Sequence, residues 1–182
     1  MSESSERYRS IADGFSARVR AVAPDQWSAP TPCSDWTVGD LVAHVIGTHH
    51  LVMATLLATD PVEVDPKGDL PGQWRVASDA IADAMDNDAQ ASKVVGGMFG
   101  EQPFESLVAR LVCTDTLVHG WDLARATGQD EQLDPDAVST SMDFLAPIDE
   151  AIRRPGGFGA KITPPGDSDD QTRFLNFCGR AV

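Results

Sequence analysis

"CTDTLVHGWDLARATG", residues 113–128, is the most helix-like run in the chain, and it carries a contradiction. Asp115 and His119 stand among Leu111, Val112, Leu117, Val118 and Leu123. Being four apart, they lie about 40° apart on a helix and point the same way. Burying a carboxylate costs several kcal/mol unless a partner compensates it. The helix is predicted to run from about Phe104 to Thr127, with Gly128 as its C-terminal stop. What compensates Asp115 is therefore the question on which both fold and function turn.

Working outward, proline and glycine divide the rest into further helical segments, with no internal repeat. Tyr8, Ile11, Phe15 and Val19 recur at helical spacing and predict a first helix over about 5–22. "SAPTPCSDWT" reads as an irregular linker, with Trp36 as a staple before the next helix. Thr37 and Asp40 form an N-cap with a weak capping box for a second helix over about 38–58. Leu41, Val45, Val52 and Leu56 are expected near one face of it, with Leu51 beside them. A third helix is expected over about 73–85, with Trp74, Val76, Ala80, Ile81 and Met85 inward. "KVVGGMFGEQPF" reads as a short extended piece or loop, without phosphate-loop or dinucleotide-binding glycine spacing. A fifth helix is expected over about 135–153, kinked at Pro147, and "RRPGGFG" ends it. The tail returns to a short helix near 169–179. Strand signals are few, so the class is all-α, a helical bundle forming one domain over 1–182.

The 182 residues include 28 acidic and 14 basic side chains, a net charge of −14. A surface this negative repels phosphate backbones and anionic lipids, so neither nucleic acid nor membrane is expected as a partner. The N-terminus has no apolar signal core, and no uninterrupted apolar run approaches the roughly 20 residues of a membrane span. Cys33, Cys113 and Cys178 match neither a disulfide framework nor a CxxC zinc site. The expected location is the cytoplasm.

The chain has four histidines: His44, His49, His50 and His119. His44 is mid-helix in "DLVAHVIG", flanked by Leu41, Val45 and Leu51. His50 and His49 are rotated from it by about 240° and about 140°, so neither shares its face. Two readings follow. In one, His44, Asp115 and His119 hold a divalent metal, and the cation compensates the carboxylate; two histidines and one carboxylate suit zinc with an open fourth position, or non-haem iron(II). In the other, Asp and His form a metal-free pair between helices. Asp122, three after His119, either orients an imidazole or pairs with Arg125 or Arg110. Trp121 reads as a core anchor. Cys113, about 200° from Asp115, is a poor ligand. Cys33 falls in a loop, as a plain or a reactive cysteine. No GxSxG motif is present.

"TPCSDWTVGDLVAHVIG" (31–47), followed about 70 residues later by "DTLVHGWDLARATG" (115–128), resembles the DinB-like superfamily. More closely it resembles the actinobacterial branch related to mycothiol-dependent maleylpyruvate isomerase. The tail "FGAKITPPGDSDDQTRFLNFCGR" (158–180) resembles that branch's C-terminal segment. The resemblance implies a four-helix bundle with an extra C-terminal helical segment, and a divalent metal held by three side chains from two helices. Its motif positions fall on His44, Asp115 and His119. The isomerase itself carries Glu-x-x-x-His at the second motif, where this chain has the shorter Asp115.

The expected function is a metal-dependent transferase or isomerase that uses a low-molecular-weight thiol such as mycothiol on a small electrophile. Zinc is the first-choice metal, with nickel or iron(II) as alternatives. A metal with an open position holds a thiol as its nucleophilic thiolate at neutral pH. The competing expectation is a non-catalytic, metal-stabilised scaffold or stress-response binding protein, with a homodimer as one arrangement left open. The sequence identifies no general acid or base.

Overall fold

A computed structural model describes residues 2–33, 35–97, 99–153 and 157–182. Part of the expected stop at "RRPGGFG" lies outside the described residues. The chain divides into two compact units, Met1–Glu131 and Gln132–Val182.

The first unit is built from four long helices: α1 (Glu3–Ala21), α2 (Val38–Leu57), α3 (Leu70–Asp86) and α6 (Cys113–Thr127). Their contacts close a ring, in which α1 packs on α3 and α6, and α2 packs on the same two. This is the expected all-α bundle. The starts of α1, α2 and α3 are capped by side chains. Ser2 accepts from the Ser5 amide at α1. At α2, Thr37 and Asp40 form a reciprocal capping box, with Asp40 N–H donating to Thr37 Oγ1 (3.2 Å) and Thr37 N–H to Asp40 Oδ2 (3.0 Å). Such a cap contributes about 1 kcal/mol. Two of the C-terminal ends turn left-handed: Gly128 closes α6 at φ 70°, and Ala58 closes α2 at φ 54°, a conformation that suits glycine better.

The core is a contiguous apolar set that includes Phe15, Leu41, Ile46, Trp74, Ile81, Phe104 and Trp121. Trp74 packs edge-on to Phe15 and donates its indole N–H to Ser16 Oγ (2.8 Å). Burying such aromatics is among the largest favourable contributions in a bundle of this size. Two sequence-based core assignments fail. Leu51 and Val76 are 51% and 59% exposed. Both flank the apolar stripe of their helix, and the ring of neighbours reaches only the stripe. α2 is the one described helix long and apolar enough to cross a membrane by length and composition. Asp40 and its histidines interrupt the apolar run, which is why no span stands out in the sequence. Nine of its residues are buried in the bundle, which accounts for its hydropathy.

The expected helix over 104–127 is present but not uniform. It opens with α5 (Phe104–Leu107), widens into a π-helical stretch (Val108–Val112) and continues as α6. A π-helical turn shifts the register of everything after it, and such turns often occur next to functional residues. Before it, a short helix α4 (Asp88–Ala91) leads to a small hairpin. Its strands β1 (Val94–Val95) and β2 (Gln102–Pro103) pair antiparallel, so the glycine-rich piece is extended at both ends.

The second unit contains α7 (Pro135–Leu145), a 3-10 turn over Ala146–Ile148, α8 (Asp149–Ile152) and α9 (Asp170–Phe177). The break falls at Pro147, as proline's missing N–H dictates. α7 packs against α9, and Asp134 and Asp169 cap their N-termini.

Candidate metal centre

α6 is buried almost all round: every residue from Thr116 to Ala124 is inside the bundle. Asp115 opens this stretch and His119 follows one turn later. On the neighbouring α2, His44 reaches across, and its Nε2 lies 3.2 Å from Asp115 Oδ1. His119 Nε2 lies 3.6 Å from the same oxygen. The three donor atoms all lie within 4.8 Å of one another. Tetrahedral ligands about 2.0–2.1 Å from zinc sit about 3.3 Å apart, so the spacing fits a shared dication. Side-chain exposure falls from 35% at His44 to 16% at Asp115 and 9% at His119, so the trio opens to solvent on the His44 side.

Electrostatics sharpen the picture. Burial alone would raise the Asp115 carboxyl. The positive charge that His119 can carry and the His44 hydrogen bond outweigh it, so the group is held below the ordinary carboxylate range. Asp115 Oδ2 is buried and has no hydrogen-bond partner among the described residues. A buried unpaired carboxylate oxygen is costly, and it marks a place where a cation or an ordered water belongs.

Asp122 settles which alternative reading of it holds. It is fully buried, and His119 Nδ1 lies 3.0 Å from its Oδ2. It does not pair at the surface with Arg125, whose guanidinium instead meets Glu131 at 2.6 Å. An ionised carboxylate only accepts, so His119 Nδ1 carries the proton and its Nε2 lone pair faces Asp115 Oδ1. Two lone pairs then face each other across 3.6 Å. A proton or a metal cation between them relieves the repulsion.

The linker before α2 contributes more than the sequence suggested. Thr31, Cys33 and Trp36 are tied by backbone hydrogen bonds, and Val38 and Gly39 bond back to Ala29 and Trp27. This ordered loop sets the Trp36 ring against His44 (4.5 Å between centroids) and His119 (5.7 Å), as a partial cover. It also sets Cys33 Sγ 3.4 Å from Asp122 Oδ2. The signal was present as a tryptophan and a cysteine a few residues before a capped helix that carries a candidate ligand.

His49 and His50 stay outside the trio, as the helical rotation implied. His50 Nδ1 meets the Val62 carbonyl at 2.8 Å. His49 is fully buried against Trp74 and Tyr8. Cys113 is a core residue, and burial pushes its thiol up to about 12. Two surface clefts, of 430 Å³ between α1 and α3 and of 510 Å³ beside the loop over 66–71, are lined by none of the trio.

Comparison with known proteins bears on this geometry. A profile described as the mycothiol maleylpyruvate isomerase N-terminal domain matches residues 8–124, a span that contains every residue of the centre. Two Mycobacterium tuberculosis proteins, uncharacterized protein MT0763 and uncharacterized protein Rv0738, are each 35% identical over 179 residues, 93% of this chain and 93% of each relative. The crystal structure of a histidine-to-alanine mutant of the mycothiol-dependent maleylpyruvate isomerase is similar with a TM-score of 0.55. It covers 79% of this chain and 67% of that one at 14% identity, a likeness of fold.

Proposed function

This chain belongs to the mycothiol maleylpyruvate isomerase N-terminal domain family, and from that premise we propose that it is a divalent-metal protein that activates a low-molecular-weight thiol for transfer to, or isomerisation of, a small electrophile. The observation that carries the reading is the Nε2 of His119 facing Asp115 Oδ1 while Nδ1 is committed to Asp122. His44, Asp115 and His119 are the ligands of this reading. Zinc is its first-choice metal, with nickel or iron(II) as alternatives. A dication held by three protein ligands lowers the pKa of a thiol or water in its open position.

The remaining roles belong to the chain's own side chains. Asp122 fixes the His119 tautomer and ring orientation. Trp36 covers both imidazoles and limits water on that side. The more exposed His44 edge is where a thiol enters. The thiol proposed is mycothiol or a close relative, because the family and the fold neighbour carry that name. The shorter carboxylate at 115 would either draw a bound cation toward α6 or meet it in a different geometry, so the isomerase's own reaction is not carried over to this chain. The single-domain reading of 1–182 remains part of the proposal.

The test is turnover: mycothiol or a surrogate thiol is assayed against a panel of electrophiles with and without added zinc. Metal-dependent turnover is expected with at least one electrophile. Its absence across the panel, in protein that binds metal, leaves a metal-stabilised scaffold. Replacing Asp122 by Asn is expected to weaken metal affinity about 10–100-fold, as measured by competition with a chromophoric chelator. Unchanged affinity would remove Asp122 from the tautomer argument.

A further inference from the structure

The far side of His119 faces a second convergence of donors. Cys33 Sγ, a carboxylate oxygen of Asp122 and a ring nitrogen of His119 all lie within 4.8 Å of one another. Sγ is 3.4 Å and Nδ1 is 3.0 Å from Asp122 Oδ2. Ligands about 2.3 Å (sulfur) and 2.0–2.1 Å (nitrogen, oxygen) from one tetrahedral cation sit about 3.3–3.6 Å apart. The two spacings to Asp122 Oδ2 are therefore close to those of ligands sharing one cation. Asp122 is fully buried, whereas Cys33 is half-buried in the loop and offers a way in.

We propose that Cys33, Asp122 and His119 form a second cation position, selective for thiophilic divalent ions, which competes with the first for His119 through that ring's tautomer. The donor chemistry differs from that of the first trio. Thiolate sulfur selects soft ions, whereas two imidazoles and a carboxylate suit borderline ones. The charge balance differs as well. Counted over Asp115, Asp122 and Cys33 together, a dication at the first position leaves the cluster neutral, whereas one at the second, with Cys33 as thiolate, leaves it at −1.

The proton balance is explicit. As it stands, the Cys33 S–H and the His119 Nδ1–H both point to Asp122. When the cation enters, the Cys33 proton leaves to solvent and sulfur binds as thiolate. The His119 proton moves from Nδ1 to Nε2, which faces Asp115 Oδ1 3.6 Å away. One proton is released per cation bound. A neutral imidazole has one lone pair, so His119 serves one position at a time. This competition rests on the first-site reading; the second position itself does not.

The probe is Cd²⁺ alone, titrated into the full chain. The expected result is a thiolate-to-cadmium charge-transfer absorption saturating at one ion per chain, with release of one proton. The band is expected to persist in His44→Ala, which disables only the first trio, and to vanish in Cys33→Ser and in Cys33→Ala. No band in the wild type, a band that survives both Cys33 variants, or a band lost in His44→Ala overturns the second position. Cadmium added to zinc-loaded protein is expected to release the zinc. Retention of both ions on one chain overturns the competition. Should the chain bind no zinc at all, the first-site reading fails while the His44→Ala band still decides the second.

Discussion

Zinc, nickel(II) or iron(II) added to protein purified without a histidine tag is expected to raise its melting temperature by roughly 5–11 °C at free metal 100-fold above Kd. Ligand linkage gives about 2.7 kcal/mol under that condition, and a chain of this size shifts by about 2–4 °C per kcal/mol. His44→Ala and His119→Ala are each expected to abolish the shift, and His50→Ala, whose ring meets the Val62 carbonyl, to leave it intact. Asp115→Asn probes the same centre through its carboxylate, and the comparison is between its response to metal and that of the unaltered protein. Without metal, the change removes a carboxylate that His119 and His44 hold ionised, so stability falls. With metal, it removes the only anionic ligand, and the thermal shift disappears. The competing view treats the trio as a self-contained ion pair. It predicts a similar metal-free loss but no thermal shift with added metal in either protein. Differential scanning fluorimetry with and without metal, read against a chelator-treated control, separates the two. No shift with any of the three metals would end the metal reading.

How far the sequence carried depends on what each residue's neighbours had to supply. The long helices, the Thr37–Asp40 box, the Gly128 stop and the break at Pro147 were legible, because each is decided within a turn or two of chain. The convergence of His44 with Asp115 and His119 was legible in part, since periodicity puts each on a face but does not say which faces meet. Position on the apolar face made His44 the candidate third ligand, the family resemblance agreed with that choice, and the ring of contacts among α1, α3, α2 and α6 gives it a physical basis. Trp36 and Cys33 were not legible as parts of the centre. Their placement depends on an irregular loop whose backbone hydrogen bonds follow no period. Leu51 and Val76 were misassigned for a related reason: apolarity marks a stripe, but the width of the partner decides how much of it is covered. The π-helical stretch before Cys113 left no signal either, because its valines and leucine suit an ordinary helix equally well.

Acidification is expected to destabilise the protein by about 3 kcal/mol between pH 6.5 and 4 through one residue that serves neither cation position. His49 is fully buried. Its Nδ1–H donates to the Val45 carbonyl at 2.8 Å, and its Nε2 has no partner among the described residues. Trp74 meets it edge-on at 4.8 Å and Tyr8 lies at 6.0 Å, so the ring is held in an aromatic slot as the neutral form. Burial lowers its pKa from 6.5 to about 4; the Val45 carbonyl and the Asp115 charge oppose the shift, and His50 adds to it slightly. Because the folded pKa is depressed, the unfolded chain binds the extra proton first. The contribution is complete above about pH 6.5, falls by up to about 1.4 kcal/mol per pH unit as pH drops, and levels off below about 4. The carboxylates held low by their partners, Asp40, Asp115 and Glu131 among them, respond only at more acid pH. His49→Phe keeps an aromatic ring in the slot and removes the titrating group. Urea denaturation of metal-free protein across pH 4–7 should therefore give a shallower stability profile for the variant, the difference between the two curves being one proton's worth. Parallel profiles would mean that the imidazole already finds a buried acceptor when charged, and that the slot is less dry than its aromatic walls imply.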